Sequence, residues 1–143
     1  MIFTIRQYQQ ADLNDLMSAW ESANELAHSF LSKSLVEKVR HDIPNVYLPI
    51  ADTWVVENNK KVIGFIALIG NEVGAIFVDT PFHGLGAGKA LMHKAHSLHT
   101  TLEVEVFKDN LIGRKFYTSY GFELIKESLH APSGRQVLRL LFS

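Results

Sequence analysis

The chain contains no cysteine, which excludes disulfides, thiolate metal sites and covalent catalysis through a cysteine thiolate. It also lacks an excess of either charge: fourteen Lys and Arg stand against fifteen Asp and Glu, a formal net charge of −1. No overall field draws nucleic acid or an anionic membrane toward it, so neither is expected as a partner, and any bound anion must be held locally. Long apolar runs are missing as well. The longest, Phe65 to Ile69, falls far short of the roughly 20 residues that span a bilayer. The opening MIFTIRQYQQ alternates polar and apolar residues and has neither the basic segment nor the apolar stretch of a signal peptide. A cytoplasmic protein is expected.

What is present suits one folded unit. A length of 143 residues with 47% hydrophobic content is ample for one core, and residues 1–143 are expected to form a single domain. Ile2, Thr4 and Arg6 alternate with Phe3 and Ile5, predicting a first strand over residues 2–7. Asp12 is placed to cap a helix whose apolar positions Leu13, Leu16, Met17, Trp20, Ala23 and Ala27 keep helical spacing. A second helix is predicted from Ser34 through Val36, Val39 and Ile43, ended by Pro44, with a loop from Asn45 to Asp52.

Three segments rich in β-branched and aromatic residues follow: Thr53–Glu57, Val62–Ile69 and Val73–Asp79. They are separated by the turn formers Asn58-Asn59-Lys60 and Gly70-Asn71 and predict an antiparallel meander. A helix with Leu91, Ala95 and Leu98 and a strand from Leu102 to Phe107 come next, so the order strand, helix, strand implies a parallel crossover. A last helix begins near Asn110. A final hairpin takes Phe122–Leu129 and Gln136–Phe142 around Pro132-Ser133-Gly134. The fold class is α/β with a mixed sheet.

The densest chemical signal is the stretch His83-Gly84-Leu85-Gly86-Ala87-Gly88-Lys89, which lies between a strand and a helix. The first N–H groups of a helix have no intrahelical partners, and the helix dipole adds about half a positive charge there. Glycine lets the backbone reach positive φ and lets a bulky anion touch it. The Walker A pattern fails, because Gly88-Lys89 is followed by Ala90 and His83 stands at the leading glycine position. The dinucleotide pattern fails because Lys89 stands where the third glycine is required.

The loop resembles the acetyl-CoA loop of the GNAT superfamily of N-acetyltransferases, Q/R-x-x-G-x-G/A at a helix start, with His83 in place of the usual Gln or Arg. The resemblance extends over Leu102, Val104, Val106, Asn110, Phe116, Tyr117, Gly121 and Phe122, and over the order of elements along the chain. His28-Ser29-Phe30-Leu31-Ser32 is similar to the acceptor-side loop of small bacterial GNAT enzymes, some of which acetylate protein lysines. The resemblance implies a GNAT-like mixed, mostly antiparallel sheet of about seven strands, splayed between the fourth and fifth, with about four helices.

It also implies acetyl-CoA as donor, with CoA as product. Phe77 and Val78 would pair with the pantetheine arm. The N–H groups from Gly84 to Lys89, including those of Gly86, Ala87 and Gly88, would hold the pyrophosphate, with a further hydrogen bond from His83. Asn110 and Tyr117 would lie beside the arm and the thioester. The carbonyl oxygen would receive a backbone N–H near Val78, and Gly74 is placed to form a bulge.

Acetyl transfer to an amine requires a neutral nucleophile, a polarised carbonyl and a proton for the departing thiolate. Without cysteine, direct transfer in a ternary complex is the simpler route. A lysine with pKa near 10.4 is neutral about once in 2,500 at pH 7, a handicap of roughly 4.6 kcal/mol, so a base is needed. Strand alternation sends Val104 and Val106 to one face and Glu103 and Glu105 to the other. Glu105 is the first candidate, with Glu103, His28 or water as alternatives. Tyr117 matches the family's general acid and is protonated at pH 7 as an ordinary phenol.

The acceptor is expected to be a primary amine: a small molecule, a protein lysine or a protein N-terminus. Trp20, His28, Phe30, Glu103 and Trp54 are the candidates to line its site, and a monomer or homodimer is the expected assembly. Two other readings stay open: a CoA-binding module without catalysis, and an interaction domain that uses the glycines only as a turn. His93, His96 and His99 share no i, i+4 spacing, and no metal site is expected.

Overall fold

The computed structural model describes residues 2–143. In chain order its elements are β1 (Thr4–Gln7), α1 (Leu13–Ala27), α2 (Lys33–Asp42), β2 (Asp52–Asn58), β3 (Lys61–Ile69), β4 (Glu72–Val78), α3 (Ala87–Leu98), β5 (Leu102–Phe107), α4 (Leu111–Tyr120), β6 (Glu123–His130) and β7 (Arg135–Phe142). The strands form one seven-stranded sheet in the order β1-β2-β3-β4-β5-β7-β6. Only β4 and β5 run parallel, because α3 carries the chain across between them. The turns of the meander sit where the sequence places them, with Asn59 (φ 51°), Lys60 (φ 66°) and Gly70 (φ 60°) in the left-handed region that tight hairpins require.

The helices cover both faces of the sheet. On one side Leu16, Trp20, Ile43, Val55, Val62, Phe65 and Ala67 form a core beneath α1 and the segment after α2. On the other, Ile63, Ile66, Leu91, Met92, Ala95, Val104 and Phe122 pack beneath α3 and α4. The inner strand β3 is buried on both faces from Val62 to Leu68, which is why it reads as an unbroken apolar run.

Three local expectations need correction. The first strand begins at Thr4, and Ile2 is exposed. Asp12 does precede α1, but its carboxylate makes no helix cap. It accepts the Gln9 N–H at 2.8 Å and both Arg6 Nη atoms at 2.8 Å, while Glu57 meets Arg6 Nε at 3.1 Å. The Arg6 guanidinium holds the Asp12 carboxyl below the usual carboxylate range. Finally, Pro44 does not end the helical path. Having no N–H to donate, it widens the turn: residues Ile43–Tyr47 continue with a Leu48 N–H to Ile43 carbonyl bond of 2.9 Å. The cap of α2 is Ser32, whose Oγ accepts from the Leu35 N–H at 3.2 Å.

The feature that positions the site is a split in the sheet. β4 and β5 pair only at Glu72–Glu103 and Val73–Val104. Across the other edge of β4, Leu68 pairs with Val73 and Ala67 with Ala75, so Gly74 is an extra residue, the expected bulge. A bulge bends its strand and increases local twist. Beyond it the two strands part, leaving a wedge between their C-terminal halves.

Candidate active site

The wedge opens into a cleft of about 680 Å³ lined by Gly74 to Val78 of β4, Val104 to Phe107 of β5, the glycine loop, the end of α1 and one side of α4. Phe77, Val78, His83, Gly84, Gly86, Ala87, Gly88, Lys89, Glu105, Asn110, Tyr117 and His28 all lie along it. Residues drawn from five segments of the chain thus meet in one place.

The loop is anchored before it turns. Ser22 Oγ of α1 lies 2.8 Å from Thr80 Oγ1 and accepts the Thr80 N–H at 3.1 Å. Gly84 (φ 74°) and Gly86 (φ 96°) adopt conformations that L side chains rarely take, and nothing stands within 4 Å of where their Cβ atoms would be. The backbone is therefore bare toward the cleft. In α3 the first N–H to find a helical-type partner is that of Ala90, on the Gly86 carbonyl at 3.0 Å, which leaves those of Ala87, Gly88 and Lys89 at the open helix start. Gly88 has a different task from the other two. A Cβ there would stand 3.1 Å from Phe116 Cε1, so this glycine lets α4 approach α3.

Strand polarity decides which backbone groups face the wedge. The Asp79 N–H donates to the Ile63 carbonyl at 2.7 Å, so the groups of Phe77, two residues back, also face β3. Those of Ile76 and Val78 face the gap. This corrects the expectation for Phe77, whose ring lines the cleft while its backbone is turned to β3. Ile76, not anticipated from the sequence, faces the gap instead. The Val78 carbonyl accepts from His83 Nε2 at 2.6 Å, leaving the N–H as that residue's open group. The same bond orients His83: its Nε2 is spent on Val78, which leaves Nδ1 as the ring nitrogen not so engaged.

Tyr117 packs its ring between Phe116 and Phe122, each at a centroid distance of 5.4 Å. It is 7% exposed, and burial alone pushes its phenol above the ordinary value. Asn110 caps α4, its Oδ1 accepting the Gly113 N–H at 2.9 Å, and its Nδ2 lies 3.3 Å from His28 Nε2. His28 Nδ1 is 2.7 Å from Asn24 Oδ1. Burial lowers the His28 pKa to about 4, so its imidazole is neutral at neutral pH. Asn24, not anticipated as a site residue, carried a readable signal: a polar residue on the apolar stripe of α1, one turn before His28.

The two β5 carboxylates separate. Glu105 lines the cleft with Arg139 Nη2 at 3.5 Å, whereas Glu103 lies at the paired end of the strands, 3.4 Å from Arg139 Nη1 and outside the cleft. Trp20 is also outside, 1% exposed in the core beneath α1. Phe30 stands at the rim against His28 and Phe107, at centroid distances of 5.9 and 5.5 Å, with Arg135 over its ring at 5.1 Å. Trp54 packs on the α3 side, under Lys94 at 4.1 Å. Among the described residues no group of three or more His, Asp or Glu is gathered at metal-binding distance, and no helix is long and apolar enough to cross a membrane.

Comparison with known proteins agrees with this geometry. The model of the acetyltransferase (GNAT) domain matches residues 49–124, just over half of the chain. The peptidyl-lysine N-acetyltransferase YjaB of Escherichia coli K12 is 29% identical over 129 residues, covering 90% of this chain and 87% of YjaB. The peptidyl-lysine N-acetyltransferase YiaC of the same organism is 29% identical over 122 residues, covering 85% and 84%. The solution structure of the apo form of E. coli YjaB superposes with a TM-score of 0.88 at 27% identity, covering 99% of this chain and 98% of that one. The PaiA N-acetyltransferase of Thermoplasma acidophilum, solved in complex with coenzyme A, shares the fold with a TM-score of 0.75 at 18% identity over 97% and 98% of the two chains. By the split sheet, the glycine loop at the start of α3 and the family match, this chain belongs to the GNAT family of N-acetyltransferases.

Proposed function

We propose that this domain transfers an acetyl group from acetyl-CoA directly to the side-chain amine of a protein lysine. The observation that carries the donor assignment is a cradle of bare backbone. Gly84 and Gly86 leave open the space that a Cβ would fill, at the foot of a helix start whose N–H groups are free. Such a cradle suits a pyrophosphate in a protein with a net charge of −1, because the anion is met by dipoles and needs no basic field. The open edge of β4 at Ile76 and Val78 supplies further backbone groups for an amide-bearing arm. The acceptor assignment is supported by YjaB and YiaC, both described as acting on peptidyl lysine.

In the reaction the amine nitrogen bonds to the thioester carbonyl carbon and the carbon–sulfur bond breaks. Glu105 takes the proton that the amine must lose, directly or through water, from its place at the margin of the cleft. Tyr117 gives its proton to the departing thiolate. Burial raises the phenol and so keeps it protonated until the thiolate leaves. With no cysteine in the chain, no acyl-cysteine intermediate forms, and direct transfer with both substrates bound is the simpler route.

The test is to incubate the purified protein with acetyl-CoA and a panel of lysine peptides, small amines and peptide N-termini. CoA release and acetylated products are then followed by mass spectrometry. Acetylation of lysine peptides with equal release of CoA is expected. Acetylation confined to small amines or N-termini would overturn the acceptor, and saturable CoA binding without any product would overturn catalysis.

A further inference from the structure

The hydrogen-bond chain at the mouth of the cleft can be read proton by proton. A backbone N–H can only donate, so the Gly113 N–H fixes the oxygen of Asn110 toward itself and turns the amide NH₂ the other way. There it meets His28 Nε2 at 3.3 Å, which must therefore be the unprotonated nitrogen. The ring proton sits on Nδ1 and is donated to Asn24 Oδ1 at 2.7 Å. Asn24 and Asn110 are 7% and 8% exposed, so each amide would be left short of a partner if the imidazole were removed. Gly113 completes the arrangement: a Cβ there would stand 2.5 Å from Asn110 Nδ2.

His28 has no lone pair left for an amine, which removes it as the catalytic base. It joins two elements instead. Asn24 and His28 belong to the end of α1, and Asn110 begins α4, the helix that carries Tyr117 two turns on. The ring of His28 packs edge-on against Phe30, Phe77 and Phe107 at 5.9, 6.1 and 5.2 Å, the wall that faces the rim of the cleft.

We propose that His28 is a positioning residue: its imidazole holds the Asn110 amide, and α4 behind it, on the donor side while its ring walls the acceptor side, so one residue links the two half-sites. The inference rests on the reading of the cleft as a CoA site. The titratable groups on the elements around the ring are Glu105 of β5, Asp109 in the turn after it, Tyr117 of α4, and His130 and Arg135 of the β6–β7 hairpin. None hydrogen-bonds to the imidazole, and Asp109 is paired with Arg135 at 3.0 Å. The bonded Asn24 is therefore the natural place to intervene.

The Asn24→Asp change keeps an acceptor beside Nδ1 but adds a negative charge that favours the imidazolium. Once protonated, Nε2 becomes a donor facing the donor NH₂ of Asn110, and the link breaks. Calorimetric titration with CoA, run on wild type and variants from pH 8 to pH 5.5, reads the consequence. Protonation of the CoA phosphate cancels when Kd values are taken as a ratio to wild type.

The expected ratio for Asn24→Asp is close to one at pH 8 and rises as the pH falls, in step with the His28 titration followed by NMR. The His28→Phe variant keeps the packing but loses both bonds, and should bind CoA roughly five- to tenfold more weakly at every pH. His28→Gln, which restores an acceptor for Asn110, should recover most of that loss. A flat Asn24→Asp ratio, or His28→Phe binding within twofold of wild type, overturns the positioning role. Wild-type protein that binds no CoA overturns the reading of the cleft itself, a distinct result. Should His28→Phe fail to fold, the pH series on Asn24→Asp decides alone.

Discussion

The two sides of the cleft are built from different materials. On the side proposed for the donor, the groups are main-chain: the N–H groups at the start of α3, the bare loop at Gly84 and Gly86, and the open edge of β4 at Ile76 and Val78. On the side proposed for the acceptor they are side chains contributed from the end of α1, β4 and β5, among them His28, Phe77, Glu105 and Phe107. A backbone site tolerates replacement of side chains but not of φ angles. A side-chain site behaves the other way. On the proposed function, the reaction that joins them depends on Tyr117, buried along the same cleft.

The sharpest way to break this division is at the junction. Tyr117→Phe removes only a hydroxyl whose proposed role is chemical, so turnover is expected to fall about 100-fold or more while CoA affinity changes by less than about twofold. Steady-state rates and calorimetry on the same preparation check it. If affinity collapses and turnover at saturation does not, Tyr117 belongs to the donor cradle.

The next largest effect compares two neighbours in the loop. Gly86→Ala forces a Cβ onto a residue at φ 96° and should weaken CoA binding about tenfold. Lys89→Ala, which leaves the backbone as it is, should weaken it by less than about threefold. The reverse order would mean that the pyrophosphate is held by charge and not by the helix start.

The smallest effect concerns stability on the acceptor side. His28 has a folded pKa of about 4, depressed from the ordinary 6.5. The unfolded chain therefore binds more protons between those values. The stabilisation is fully present above about pH 6.5 and is lost as the pH falls toward 4. Urea midpoints at pH 7 and pH 4.5 should differ more for wild type than for His28→Phe. Equal differences would mean that the ring does not titrate as a buried group.

How far the sequence could be read follows the same division. Glycines that impose φ are visible as letters, so Gly84, Gly86 and the bulge at Gly74 were legible, as was the alternation that bounds β5 at Leu102 and Phe107. Alternation also put Glu103 and Glu105 on one face, but it could not tell which reaches the cleft. That depends on where β4 leaves β5, and Glu103 lies on the paired side of the split. Trp20 is among the residues expected to line the acceptor site, yet Leu16, Trp20 and Ala23 are spaced as a buried stripe, and the stripe is the better guide. The imidazole link was not legible. Its members are separated by 82 residues between His28 and Asn110, and only folding brings α1 to the cap of α4.

The split itself has a mechanical consequence. Between the β1–β4 half of the sheet and the β5–β7 half, the strands pair at two positions only, so along the rest of that seam the sheet lacks a strand. On the proposed function the extended arm of CoA is that strand. A protein of this design is completed by its substrate. Saturation at a hundred times Kd adds about 2.7 kcal/mol to the stability of the whole fold, and the amides of Ile76 and Val78 pass from solvent exchange to protection as the seam closes.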